Sequence, residues 1–88
     1  TKSMAARFFW NLHCNKTNDI ELKTKFSTYY KKEKSKSPVK DVSISHDDFD
    51  AILGCIQYRY FTLDDGVNFN PDNFVSGAEI AKALQRMK

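Results

Sequence analysis

The sequence predicts a mainly α-helical domain of four helices, and three observations carry that expectation. Eighty-eight residues suffice for a single domain spanning 1–88. Three glycines and two prolines are too few for the repeated tight turns of a β-barrel or sandwich. Apolar residues recur at helical spacing in successive stretches, two of them opened by a Ser-x-x-acid capping pattern. Hydrophobic residues at 41% and aromatic residues at 14% supply a core without staples, so a chain disordered throughout is excluded.

The first helix is expected over Met4 to Cys14, where Ala5, Phe8, Phe9 and Leu12 form the apolar stripe. Asn15-Lys16-Thr17-Asn18-Asp19 breaks it and offers caps to a second helix. That helix should run from Ile20 to about Lys34, with Ile20 or Leu22, Phe26, and Tyr29 or Tyr30 inward. Pro38 then holds Ser37 out of helical geometry, and residues 31–41 are expected to form a flexible lysine-rich loop outside the core. Val42-Ser43-Ile44 alternates over too few residues for more than a short strand. Ser45 with Asp48 should open the third helix, whose Phe49, Ile52, Leu53, Ile56 and Tyr60 make the cleanest core stripe. Asp64-Asp65-Gly66 and Asn70-Pro71-Asp72-Asn73 mark two reversals. Ser76 with Glu79 opens the last helix, from about Gly77 to the end, with Ile80, Ala83, Leu84 and Met87 inward.

The net charge of +3 is unevenly spread. Lys31–Lys40 holds five lysines against Glu33, so ten residues carry +4 and the other 78 carry −1. The basic segment permits an acidic partner, and Lys31, Lys32, Lys34, Lys36, Lys40 and Arg59 are candidate nucleic-acid contacts beside stacking tyrosines. Two cysteines make no disulfide framework, so Cys14 and Cys55 are expected as buried free thiols. No apolar run reaches the roughly 18–20 residues that cross a bilayer, and no leader opens the chain. An intracellular protein, nuclear or cytoplasmic and without a membrane partner, is the expectation. His13 and His46 lack a nucleophile arrangement, and there is no glycine-rich phosphate cradle, so no enzymatic activity and no catalytic residue are expected.

Ile44-Ser45-His46-Asp47-Asp48-Phe49 and Val75-Ser76-Gly77-Ala78-Glu79-Ile80 repeat one pattern of β-branched residue, serine, two variable positions, acid and large apolar residue. This grammar resembles the second half of an EF-hand. The resemblance implies a pair of such units over residues 20–88, joined by a short two-strand bridge near Ile44 and Val75. It also implies a loop over 68–79 with Asn68, Asn70 and Asp72 as side-chain ligands, the Phe74 carbonyl, Ser76, and Glu79 as the bidentate acid. Asn68 replaces aspartate, Asn73 replaces the turn glycine, and the ligand charge is only −2, so any calcium binding should be weak and no cofactor is expected otherwise. Phe74 to Leu84 also looks like the first helix of the helix-turn-helix in winged-helix proteins. A recognition helix must follow such a helix, and the given sequence stops at Lys88, so a DNA reader built that way would use the third helix, or the chain is a fragment of something longer.

Ser37-Pro38-Val39-Lys40 looks like a proline-directed kinase site, so Ser37 is a candidate for phosphorylation that would neutralise part of the loop. The function these readings converge on is a non-catalytic regulatory interaction module. In it, helices three and four flank a groove lined by Phe49, Ile52, Ile56, Ile80, Leu84 and Met87 that accepts an apolar helix or peptide of a partner protein. The alternative is a DNA-binding helical or winged-helix domain using helix three and the basic loop.

Overall fold

The computed structural model describes residues 1–34, 36–63 and 66–87; Ser35, Asp64, Asp65, Lys88 and the side chain of Ile20 lie outside the described residues. Four α-helices follow in order: α1 (Lys2–Thr17), α2 (Lys25–Lys32), α3 (Phe49–Gln57) and α4 (Gly77–Met87), with a 3₁₀ segment, Ile20–Thr24, leading into α2. The expected second helix is therefore split, its first turn tightened to 3₁₀ and its end reached at Lys32. None of the helices is long and apolar enough to cross a membrane among the described residues.

α1 is the central element. It buries Ala6, Phe9, Trp10 and Cys14, whereas Phe8 and Leu12, expected inward, face solvent. Both faces of this helix are apolar, so spacing alone could not decide which one the core takes. α3 runs in the same sense along one side, from Asp48 at Ser3 and Arg7 to Tyr58 at His13. Close approach requires Gly54, since a Cβ there would overlap the Trp10 ring. α4 runs in the same sense along the other side, from Glu79 near Lys2 (3.8 Å) to the Met87 carbonyl, which accepts from Lys16 Nζ (2.7 Å). Each large side chain buried in this core, Phe49, Ile52 and Phe69 among them, contributes about 1.5–3 kcal/mol.

Helix ends follow unusual chemistry because glycine is scarce. α1, α2 and α3 each stop on a non-glycine residue in the left-handed region: Asn18 (φ 56), Lys34 (φ 54) and Arg59 (φ 63). At α3 the Tyr60 N–H donates to the Cys55 carbonyl (2.8 Å) and the Arg59 N–H to that of Ile56 (3.1 Å), a complete Schellman closure. The Ser76–Glu79 capping box forms as predicted: Ser76 Oγ accepts from the Glu79 N–H (3.1 Å) and Glu79 Oε1 accepts from the Ser76 N–H (3.3 Å). Its Ser45–Asp48 counterpart does not. Asp48 instead accepts from Arg7 Nε (2.7 Å) and Ser3 Oγ (2.5 Å), while His46 Nδ1 accepts from the Asp48 N–H (3.0 Å).

Among the described residues there is no strand, so the bridge near Ile44 and Val75 is absent and the EF-hand and winged-helix architectures are unsupported. Residues 39–46 form successive turns, with the Val42 N–H donating to Val39 and that of His46 to Ser43, which leaves Ile44 no extended backbone to pair. Those turns also bring part of the lysine-rich segment into the interior: Val39 and Val42 are buried, and the Lys40 N–H donates to the Val67 carbonyl (2.8 Å).

Candidate functional site

α2 and α3 meet through Tyr30 and Phe49, whose rings pack edge to face at 5.7 Å. Asp50 of α3 caps α2 from outside, its Oδ1 accepting from the Ser27 N–H (2.8 Å), because Thr24 at the cap position makes no such bond. This pinned pair leaves an apolar cleft of about 250 Å³ walled by Phe26 and Tyr30 from α2, Leu53 and Ile56 from α3, and Val39 and Leu63 from the connecting segments. Past Ile56 and Leu63 the surface opens into a wider cleft of about 510 Å³ that carries Arg59, Lys82 and Arg86. Apolar walls grading into three exposed cations form a surface suited to an amphipathic acidic ligand.

Two features tie the basic residues to this surface. Tyr30, Pro38 and Val39, at the two ends of the lysine-rich segment, line the cleft, and Lys31, Lys32, Lys34, Lys36 and Lys40 are all exposed. Arg59, exposed in the wider cleft, occupies a backbone conformation that costs a non-glycine residue roughly 1–2 kcal/mol. A further cleft of about 520 Å³ lies between the 3₁₀ segment and the start of α2, lined by Asp19, Glu21, Leu22, Lys25 and Tyr29 among others, with no residue from the other helices.

The groove predicted between helices three and four does not form, because α3 and α4 both pack on α1 and not on one another. Phe49 and Ile52 are buried core residues, Ile80 and Met87 lie half-buried against the core, and Leu84 is exposed. Ile56 is the member of that set found in the observed cleft. Six residues of α3 from Phe49 to Cys55 are buried, so this helix has no free face with which to read a duplex. Tyr30 and Leu53 were expected as inward-facing residues and not as cleft walls, and Leu63, Lys82 and Arg86 escaped sequence reasoning. The i, i+4 spacing of Lys82 and Arg86 on α4 was the available signal.

Residues 71–73 cap α1 through their backbone. The carbonyls of Pro71 and Asn73 accept from the Ser3 and Lys2 N–H groups (both 2.9 Å), and Asp41 accepts from the Phe69 (2.9 Å) and Asn70 (2.8 Å) N–H groups. Of the expected ligands, Asp72 is exposed, Phe74 is 91% exposed, Asn70 opens the turn through its carbonyl, which accepts from the Asn73 N–H (3.0 Å), Asn68 precedes it, and Ser76 and Glu79 are engaged with each other. No segment of helix enters this loop, and no group of three or more His, Cys, Asp or Glu able to hold a metal forms among the described residues.

Ser37 is half-buried; its Oγ accepts from the Val39 N–H (3.1 Å) and donates to the Val39 carbonyl (3.0 Å). Elsewhere, His13 Nδ1 lies 2.6 Å from the Tyr60 hydroxyl in a cluster with Trp10 and Tyr58. Burial, and then Lys16, lower the pKa of His13, and burial pushes the Cys55 thiol up to about 12. Cys55 is therefore a protonated core residue. No family model, curated protein or solved structure matches this chain.

Proposed function

We propose that this chain is a non-catalytic interaction module that receives an apolar helix or peptide of a partner protein in the cleft between α2 and α3. Acidic residues beside the partner's apolar anchors meet Arg59, Lys82 and Arg86. The observation that carries this reading is the continuity of the apolar cleft with that cationic one, through Ile56 and Leu63. The apolar part supplies affinity, and the cations set orientation and association rate. Phosphorylation of Ser37, at the rim, would add nearly two negative charges beside Lys34, Lys36 and Lys40 and weaken an acidic segment. A Ser37→Glu variant that binds as tightly as wild type argues against that regulation.

A displayed random-peptide library tests the module. Enriched peptides should pair large apolar residues at i, i+3 or i+4 with Asp or Glu, and enrichment should vanish with the double variant Arg59→Glu/Lys82→Glu. No enrichment, or enrichment indifferent to that variant, overturns the proposal. The exposed lysines support nucleic-acid binding as the second reading. Duplex affinity would then fall by roughly 10³ between 50 and 200 mM salt if about six phosphates are contacted, whereas peptide affinity should change only a few-fold.

A further inference from the structure

The polar side chains of the wider cleft are the cations Arg59, Lys82 and Arg86 and the Thr62 hydroxyl, with no carboxylate among the described residues. Elsewhere in the molecule cations find acceptors. Arg7 takes Asp48 (2.7 Å), Lys16 the Met87 carbonyl (2.7 Å) and Lys2 the Glu79 carboxylate (3.8 Å). Arg59, Lys82 and Arg86 take none among the described residues, and Thr62 makes no hydrogen bond there through either its hydroxyl or its N–H.

Two local choices that disfavour the fold meet in this cleft. Lys82 and Arg86 stand one turn apart on α4 as like charges, and Arg59 holds its left-handed backbone. Neither gains an internal contact in return, and local rules broken together at one place point to a ligand that repays them. We infer, building on the interaction module proposed above, that this cleft is a subsite for the phosphoryl group of a phosphorylated side chain in the partner segment.

Charge and size favour phosphate over carboxylate. A carboxylate answers one cation, whereas a phosphomonoester brings nearly two charges and three acceptor oxygens, which an arginine fork can bond in pairs. Arg59, Thr62 and Lys82 also wall an adjoining recess of about 80 Å³. Its one carboxylate among the described residues, Glu79, is engaged with Ser76 Oγ (3.2 Å) and Lys2. With a water taking about 30 Å³, the recess has room for a phosphoryl group and none for a nucleoside. The apolar walls that continue through Ile56 and Leu63 suit peptide side chains better than a sugar–phosphate backbone.

Three degenerate peptide libraries, identical except for a fixed phosphoserine, glutamate or serine, test the subsite by retention on the immobilised protein. Phosphoserine peptides should be retained about tenfold or more above glutamate peptides, with large apolar residues selected beside the phosphate. Arg59→Gln/Arg86→Gln should bring that ratio to about one while keeping the wild-type circular dichroism, since both residues are exposed. Phenyl phosphate should shift the Thr62 amide and Arg59 Nε–H resonances several-fold more tightly than phenyl sulfate. Equal retention of phosphoserine and glutamate peptides overturns the inference and leaves the module standing, since that reading falls only with its own displayed library. A phosphoserine preference that survives the double variant also overturns it. So does binding of phenyl phosphate without retention of phosphoserine peptides, which makes a free phosphate ester the ligand, or a DNA duplex that displaces the retained peptides at lower concentration than phosphoserine peptides do.

Discussion

Arg59 shows how a single residue trades stability against recognition. Its left-handed backbone closes α3, a position that glycine fills without steric cost, yet the side chain it presents lies in the cationic cleft. Arg59→Gly should stabilise the fold by about 0.5–1 kcal/mol in urea titrations while weakening binding of acidic peptides. Gly54 has the opposite character, because Trp10 lies against its Cα. Gly54→Ala should cost about 2–3 kcal/mol and shift the emission of Trp10, the only tryptophan. His13 stacks on that indole at 5.3 Å and, being half-buried and near Lys16, protonates below the ordinary 6.5. The unfolded chain takes up that proton first as pH falls, so His13 lowers stability progressively from about 6.5 down to its folded pKa. Replacing His13 by Gln should flatten the fall in denaturation midpoint between pH 7.5 and 5.

At the scale of elements, the helices are held by caps that neighbours supply. Asp50→Ala should cost about 1 kcal/mol by removing the acceptor for the Ser27 N–H, and increased amide exchange should be confined first to α2. Ser76→Ala should cost a similar amount at α4. The two Ser-x-x-acid patterns look alike in sequence yet separate here. Glu79 is exposed enough to fold back on Ser76, whereas Asp48 is buried and drawn to Arg7 and Ser3, forty-one and forty-five residues away. A local pattern forms its local structure only when no stronger long-range partner competes for the same carboxylate. The Arg7 hydrogen bonds also hold the Asp48 carboxyl below the usual carboxylate range, so its stabilisation is present above about pH 3.8 and is lost as pH falls through the lower folded value.

The molecule as a whole measures 36 × 31 × 18 Å. α3 joins α1 and α2, while α4 packs on α1 alone among the helices. Hydrogen exchange should therefore protect residues 52–56 most, close to the global unfolding free energy, and residues 81–86 less. Equal protection of the two helices would show that α4 opens only with the entire fold.

Helical class, four helices, the start of α4 and the Phe49–Ile52–Ile56 stripe were legible in the sequence, because periodicity and a capping box are local properties. The amphipathic pattern of α3 also marked it as a core helix. The face of α1 that turns inward was not legible, since Ala6, Phe9 and Trp10 compete with Met4, Phe8 and Leu12 and only the Gly54 approach breaks the tie. Nor was the cleft, which draws Tyr30, Val39, Leu53 and Leu63 from four separate segments. Sequence alone determined which segments coil; the tertiary structure decided which surfaces remain for a partner, because burial depends on neighbours that no local spacing names.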